Sequence, residues 1–375
     1  MNLLERGRIS AYQFFAVLVL VRLVPVVVIC PTVALVNNPA TAWANDVIGS
    51  LIAIPLVWLI VHLGLKYPDK TIIGYTKELL GPIGGILVGS LILWLYFMIA
   101  ASVLRTLGEA MVTSLMVETP ILVFLASAAF LVANSVRNGM EINSRLTGIM
   151  VPVAVFLLLV VIAASYNLMD PGYLRPIFFA QGLGELIWPS ASVLSFYTEF
   201  LVIGMLLPHI NVNDPRQVLP LSIGAIFTSM FILVIHCLSM ASVFGPLLNS
   251  LTLPTFSIAR LVRLGVIFEH IESLITIVWL FAGGIKVSLF LRTTAVGLAQ
   301  LLDLKDYRPL VYPLGALMVA VSVFSYENLI EVISVLTGSM IVFSISFLIL
   351  ILLVLYIALG KKDFFGKGTS NAGQG

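Results

Sequence analysis

Five ionisable side chains stand out within the long apolar segments of this 375-residue chain, because a charge there requires a partner or a function. They are Arg22, Arg105, Glu109, Glu199 and Lys286. An ionisable group at the centre of a bilayer costs about 3 kcal/mol or more, and those that occur pair with one another or contact a charged solute or ion. The five residues are therefore candidates for binding a charged solute and for coupling or gating.

Arg105 and Glu109 are four residues apart and share one face of a helix. A structural ion pair is the favoured interpretation, and a gating or outer-vestibule role is the alternative. Arg22, three residues before Pro25, belongs to the same coupling or gating group.

Glu199 has no basic residue within one helical turn, and Phe196 and Tyr197 precede it. Its carboxylate can be protonated, contact the ammonium group of a solute, or pair with Lys286 or Arg22. Solute contact and a structural pair are equally compatible with the sequence.

Lys286 follows Gly283 and Gly284, a patch of small residues that permits close helix approach or local unwinding. We consider it a candidate solute ligand. The alternative is a purely structural partner for Glu199.

Ten apolar segments must position these side chains. They cover about 10–36, 43–65, 86–116, 120–136, 146–166, 185–209, 218–244, 272–299, 308–325 and 332–360. About 20 apolar residues cross the hydrocarbon core of a bilayer. Soluble domains carry about 25% charged residues, whereas this chain has 10% charged and 60% hydrophobic residues. The composition excludes an ordinary soluble protein and predicts an all-α integral membrane fold of ten helices.

The first and sixth segments are interrupted at corresponding places. The first carries Pro25 and Pro31, and the sixth carries Pro189 followed by a polar run over 190–199. Interrupted helices at matched positions of two halves indicate a solute site near the bilayer midplane. With the third and eighth segments they supply the candidate solute-binding residues, which are Val24, Pro25, Val26, Tyr96, Ser195, Phe196, Tyr197, Glu199, Gly283 and Lys286.

An odd number of helices in each half predicts a five-plus-five inverted repeat, because the second half then enters the membrane from the opposite side. We expect repeats at about 10–168 and 185–360 in one domain of residues 1–360, followed by a disordered cytoplasmic tail at 361–375. The segment 254–264 is compatible with an interfacial helix or with an ordinary structured loop.

The distribution of basic residues predicts that both termini are cytoplasmic. Of the 20 Lys and Arg residues, Arg175, Arg260 and Arg263 fall in expected outer loops, three lie within spans, and the other fourteen fall inside.

Other functional classes find little support. The chain has no His-Glu-x-x-His motif, no P-loop and no Cys/His cluster, so we expect neither an enzyme nor a cofactor. The net charge of +2 does not indicate a nucleic-acid partner. Cys30 and Cys237 lie in apolar segments, so we expect no disulfide framework.

A series of short motifs resembles the B subunits of spore germination receptors, the GerAB-type permease-like proteins of the amino acid–polyamine–organocation superfamily. The longest is Gln300-Leu-Leu-Asp-Leu-Lys-Asp-Tyr-Arg-Pro309. Others are Lys66-Tyr-Pro-Asp-Lys-Thr-Ile-Ile-Gly-Tyr75, Leu80-Gly-Pro-Ile-Gly84, Arg137-Asn-Gly-Met-Glu141, Tyr197-Thr-Glu199-Phe and Leu253-Pro-Thr-Phe256. They occur in order over nearly the whole chain.

The resemblance implies ten helices in the amino-acid-permease arrangement, with a pocket between the broken first and sixth helices and the third and eighth. It also implies a nutrient germinant as ligand, commonly an amino acid, and a complex with A-type and lipoprotein C-type subunits in the inner membrane of a bacterial spore.

One stretch departs from the family pattern. Relatives carry a glycine-rich break in the first helix, where this chain has Leu23-Val-Pro-Val-Val-Val-Ile-Cys-Pro31. A standard carboxylate site made of backbone groups is therefore not expected, and a different germinant or a vestigial pocket is possible. A germinant receptor subunit is the first interpretation. A proton- or sodium-coupled amino-acid permease and a structural subunit are the alternatives.

Overall fold

The computed structural model describes residues 7–29, 39–114, 116, 118–175, 184–212, 214–262 and 271–371. Helices dominate these residues. In the first half they are α1 (Ala11–Ile29), α2 (Ala42–Leu65), α3 (Ile72–Ser114), α4 (Ile121–Arg137) and α5 (Met140–Ala164). In the second half they are α6 (Gly184–Phe196), α7 (Ile203–Leu206), α8 (Val218–Phe244), α9 (Pro254–Leu261), α10 (Ile271–Leu301), α11 (Arg308–Phe324), α12 (Leu329–Thr337) and α13 (Ser339–Asn371).

The predicted all-α integral membrane fold is confirmed. Among the described residues, 7 helical stretches are long and apolar enough to cross a membrane. Three shorter apolar helices, Ala11–Val24, Ile121–Arg137 and Arg308–Phe324, stand where the sequence predicts the first, fourth and ninth spans. The count of ten spans stays a prediction.

The two segments predicted to be interrupted differ in how they break. α1 continues through Pro25 to Ile29. Proline is tolerated inside a membrane helix where a neighbouring helix supplies a donor to the freed backbone oxygen. The sixth segment does change its geometry. After α6 the chain tightens into a 3₁₀ stretch, Tyr197–Val202, and resumes as α7. The break therefore follows Phe196, and Pro189 lies inside α6.

Helices at equivalent positions of the two halves pack on each other. α3 packs most extensively on α10, α2 on α8, and α4 on α11. These are the third and eighth, second and seventh, and fourth and ninth segments. Such pairing is expected when a pseudo-two-fold axis in the membrane plane relates the two halves of the chain.

Glycines permit the close approach of α3 to α10 and that of α2 to α6. A Cβ atom added at Gly283 in α10 would lie 2.5 Å from Leu107 Cδ2 in α3. A Cβ atom added at Gly49 in α2 would lie 2.5 Å from Val193 Cβ in α6. Lipid tails are as apolar as the side chains, so burial alone does not hold membrane helices together. Small residues let the helix backbones approach closely and gain van der Waals contacts.

A two-stranded parallel pairing joins the ends of the two interrupted segments. β1 (Ile9–Ser10) precedes α1, and β2 (Ile210–Asn211) follows the sixth segment. The Gly7 carbonyl oxygen lies 3.1 Å from His209 Nδ1. The first and sixth segments are thus tied at one end of the molecule.

Two peripheral segments are helical. α9 buries one face that includes Thr255, Phe256 and Ile258, while Arg260 is exposed. It is a short packed helix, and Arg263 lies outside the described residues. The backbone of α13 is helical to Asn371, where the sequence suggests a disordered tail. Residues 372–375 lie outside the described part.

Candidate solute-binding site

A buried ion pair joins α10 to the break of the sixth segment. Lys286 Nζ lies 2.6 Å from Glu199 Oε2, and the Lys286 side chain is fully buried. The same ammonium group donates to the backbone oxygen of Val21 in α1 at 2.8 Å. Three elements therefore meet at one charged group.

Pro25 explains why this carbonyl is available. In an α-helix the oxygen of residue 21 accepts from the N–H of residue 25. Proline has no N–H, so the Val21 oxygen lacks its helical donor. Lys286 supplies a donor in its place, and a charged donor makes the stronger hydrogen bond.

A second buried ion pair involves Arg22, the residue of α1 that follows Val21. Arg22 Nη2 lies 2.9 Å from Asp46 Oδ1 in α2, and neither side chain is exposed. The guanidinium carbon lies 5.0 Å from the ring centroid of Tyr197 and 5.7 Å from that of Phe196. These contacts add a cation–π attraction to the ion pair.

Asp46 is also held by a helix from the other half. The Cys237 thiol in α8 donates to Asp46 Oδ2 at 3.2 Å. The Tyr197 hydroxyl lies 2.9 Å from Ser50 Oγ, one turn further along α2. α1, α2, α8 and the break of the sixth segment thus share one polar cluster.

Arg22 uses only part of its donor capacity. A guanidinium group has five N–H donors, and Nε and Nη1 of Arg22 have no hydrogen-bond acceptor among the described residues. Leaving such donors unsatisfied in a buried place costs free energy. The arrangement is therefore suited to accept an additional anionic or carbonyl oxygen.

Lys286, Glu199, Arg22 and Asp46 form what we call the charged centre. The other predicted ligands lie around it and make different contacts. The Tyr96 hydroxyl donates to the Leu201 carbonyl oxygen at 2.8 Å, within the break of the sixth segment. Ser195 donates to the Ser192 oxygen at 2.7 Å and so bonds to its own helix. Gly283 serves as the contact point with Leu107 described above.

Val24 faces an apolar cavity of about 70 Å³ between α1, α5 and α10. Trp279 Nε1, which also lines this cavity, donates to the Val24 oxygen at 3.2 Å. The side chains of Pro25 and Val26 lie outside the described residues.

Arg105 and Glu109 pair with each other, as the sequence predicts, and do not join the centre. Arg105 Nη2 lies 2.5 Å from Glu109 Oε1. Arg105 also donates to the Ser322 oxygen at 3.2 Å and the Glu327 oxygen at 3.0 Å, so it ties α3 to the end of α11. Nine residues along α3 separate it from Tyr96, which is about 13 Å at 1.5 Å per residue.

Sequence reasoning missed Asp46 and Arg292. Both are buried in the apolar part of a helix, with 0% and 1% exposure. Asp46 lies within the second apolar segment, so the criterion that selected Glu199 would have found it. Arg292 was assigned to the inner face, although it lies within the eighth segment.

Acidic, His and Cys side chains do not converge on a metal-type site in the part of the chain that the structure describes. No group of three or more of them lies close enough together there to hold a metal ion.

Solved structures with a similar fold include a transporter. A manganese transporter from Eremococcus coleocola, crystallised with an aromatic bis-isothiourea compound, covers 93% of this chain and 78% of its own chain at a TM-score of 0.57 and 16% identity. A variant of that transporter covers 94% of this chain and 83% of its own at a TM-score of 0.59 and 15% identity. At these identities the likeness shows the fold alone.

Sequence comparison is more specific. The family described as spore germination protein matches residues 8–330. Spore germination protein KB of Bacillus subtilis (strain 168) is 27% identical over 340 residues, covering 88% of both chains. The putative spore germination protein YfkT of the same strain is 24% identical, covering 90% of this chain and 92% of its own.

Proposed function

The chain belongs to the family of permease-like spore germination proteins, and on that premise we propose that it is the nutrient-sensing transmembrane subunit of a germination receptor. In this role it binds a small solute near the bilayer midplane, with an amino acid as the first candidate. Binding is then transmitted to partner subunits.

The observation that carries this proposal is the Lys286 ammonium group bound between Glu199 and the Val21 oxygen. One carboxylate oxygen and one backbone carbonyl are acceptors that also suit the ammonium group of an amino acid. Arg22 retains donors that suit a carboxylate. The centre therefore offers both halves of a zwitterion a partner.

The remaining roles follow from position. We assign solute contact to the predicted ligands of the first, third, sixth and eighth segments, namely Val24, Pro25, Val26, Tyr96, Ser195, Phe196, Tyr197, Glu199, Gly283 and Lys286. Arg22, Arg105 and Glu109 are assigned to coupling or gating. Arg22 joins α1 to α2 through its ion pair with Asp46. Arg105 pairs with Glu109 within α3 and joins this helix to the end of α11 through hydrogen bonds.

Signalling requires that the ligand bind one helix arrangement more tightly than another. The charged centre joins α1, α2, α8, α10 and the break of the sixth segment, so a ligand that replaces one ion-pair partner changes contacts in both halves. We propose that A-type and lipoprotein C-type germination receptor subunits receive this signal. The complex would lie in the inner membrane of the spore, with both termini of this chain cytoplasmic.

A proton- or sodium-coupled amino-acid permease is the second candidate. The transporter fold, which covers 93% of the chain in the first comparison, favours it. Both candidates use the same centre. They differ in whether binding free energy drives alternating access or biases a partner subunit.

Spores of the source organism that lack this chain separate the two candidates. They are challenged with amino acids, sugars and nucleosides, and solute uptake by vegetative cells is measured in parallel. Loss of germination to one nutrient class with unchanged uptake, restored by the intact gene and not by Glu199→Gln, supports the receptor. Normal germination with reduced uptake of one solute overturns it in favour of the permease.

A further inference from the structure

A second cavity lies away from the charged centre, where the end of α3, α9 and the start of α12 meet. Its volume is about 450 Å³, within the range of about 300–1,000 Å³ that is usual for small-molecule sites. Glu109 and Thr113 of α3 form one wall, and Ser257 and Arg260 of α9 form another. Asn328, which precedes α12, closes a third side.

The lining of this cavity combines one carboxylate and one guanidinium group with hydroxyl and amide groups. Phe256 and Ile330 supply apolar surface. Glu109 is a nearly buried anion with 6% exposure, whereas Arg260 is exposed at the rim. Opposite charges on two walls of one small cavity are complementary to a molecule that carries an ammonium group and a carboxylate together.

The cavity is distinct from the charged centre. Glu109 lies 13 residues beyond Tyr96 on α3, which is about 20 Å along the helix axis. The distribution of Lys and Arg predicts that the end of α3, α9 and the connection before α12 lie on the outer face of the membrane. A solute arriving from that side meets this cavity first.

Occupancy of the cavity has a structural route to the rest of the molecule. Glu109 Oε1 pairs with Arg105 Nη2 at 2.5 Å, and Arg105 holds the Ser322 and Glu327 oxygens. Asn328 Oδ1 caps α12 by accepting from the Glu331 N–H at 3.0 Å. A ligand cation that competes for Glu109 therefore alters the ion pair of Arg105, the residue that joins α3 to the α11–α12 connection.

We propose that this cavity is a second, outer binding site for a zwitterionic amino acid. Glu109 accepts from the ligand's ammonium group, and Arg260 donates to its carboxylate. The apolar wall then contacts the ligand side chain. This site is additional to the central one and stands or falls independently of it.

Protection of an introduced cysteine tests the site in the purified full-length chain in detergent. Ser257→Cys places a thiol on the cavity wall, and Ser250→Cys places one on an exposed turn outside it. Labelling by a small neutral maleimide is timed with each of the common amino acids at millimolar concentration, except cysteine, whose thiol would itself consume the maleimide. Methylammonium and acetate serve as half-ligands, and the unmodified chain gives the background from Cys30 and Cys237.

We expect at least one amino acid to slow labelling of Ser257→Cys by about fivefold or more, with less than about twofold change from either half-ligand, because each half-ligand lacks one of the two charge contacts. Labelling of Ser250→Cys stays unchanged. Failure of every amino acid to protect Ser257→Cys, or equal protection at both positions, overturns the proposal.

Second substitutions identify the charges responsible. Glu109→Gln and Arg260→Gln are each expected to raise the half-protecting concentration about tenfold, since each removes one charged contact. Arg260 is exposed, so its variant tests the proposal even if Glu109→Gln does not fold. Glu199→Gln, in the central site, leaves protection within about twofold. Protection that is lost in Glu199→Gln and kept in Arg260→Gln refutes the outer site.

Discussion

The ammonium group of Lys286 in α10 lies 2.8 Å from the backbone oxygen of Val21 in α1, the carbonyl whose helical donor is missing because residue 25 is proline. A proline in one half of the chain thus creates an acceptor for a lysine in the other half. The pair Lys286–Glu199 extends this contact to the break of the sixth segment.

Removing one partner of this ion pair should be costly. Lys286→Met leaves the Glu199 carboxylate buried without its cation, and we expect a loss of about 3–5 kcal/mol in the free energy of unfolding. The double variant Lys286→Met, Glu199→Gln should lose less than the sum of the single variants, by about 1–3 kcal/mol. Denaturant or thermal unfolding in detergent measures all four members of the cycle, and additive losses would show that the pair does not interact.

Replacing Asp46 should destabilise the protein far more than replacing Cys237, whose thiol contacts it. Asp46→Asn removes the carboxylate that pairs with the fully buried Arg22, so we expect a loss of about 3–5 kcal/mol in the free energy of unfolding. Cys237→Ala removes one weak hydrogen bond to the same carboxylate and should cost about 1 kcal/mol. Unfolding of both variants under identical conditions checks the order, and equal losses would contradict a charge-compensating role for Asp46.

Restoring an N–H at residue 25 should weaken the response to nutrient. Pro25→Ala lets the Val21 oxygen accept a helical hydrogen bond in competition with Lys286. Loss of one charged hydrogen bond predicts an increase of about tenfold in the nutrient concentration for half-maximal germination. Germination rates of spores that carry the variant measure it.

Pro152 provides a matched control within α5. It removes the helical donor of Gly148, whose oxygen accepts from the exposed Tyr12 hydroxyl at 2.8 Å. Pro152→Ala should leave the response to nutrient unchanged, because this carbonyl lies outside the charged centre. An equal effect of Pro25→Ala and Pro152→Ala would mean that proline acts through general helix stability alone.

Alanine substitutions at two adjacent glycines should have different effects on stability. A Cβ atom at Gly283 would lie 2.5 Å from Leu107 Cδ2, whereas nothing lies within 4 Å of one at Gly284. We expect Gly283→Ala to cost about 1–3 kcal/mol through overpacking, and Gly284→Ala to be neutral or to stabilise by up to about 1 kcal/mol. Thermal unfolding in detergent distinguishes the two. Recovery in Gly283→Ala, Leu107→Ala would locate the clash, and equal stability of the two single variants would refute this packing.

Much of the architecture can be derived from the sequence, because a bilayer allows few solutions. Apolar segments of about 20 residues must be helices, since lipid offers no partner for an unpaired backbone group. The same reasoning selects Arg22, Glu199 and Lys286 as unusual, because a charged side chain within a membrane span needs an oppositely charged or polar partner. The Arg105–Glu109 pair follows from helical spacing alone.

The choice between alternatives needed the tertiary structure. Glu199 could pair with Lys286 or with Arg22, and their distances along the chain do not decide between them. Packing of α10 against α1 brings Lys286 to Glu199, while α2 brings Asp46 to Arg22. The location of the break also depends on packing, because α6 continues through Pro189 and tightens only at Tyr197.

The sequence alone predicts a helical membrane protein with charged groups buried in its spans, because hydropathy and helical periodicity are local properties. Its family follows from the resemblance of short motifs and from the match over residues 8–330. The tertiary structure was needed to show which charges meet, that Pro25 exposes an acceptor for Lys286, and that Glu109 and Arg260 line one cavity. Each of these depends on contacts between segments tens to hundreds of residues apart, which no local pattern encodes.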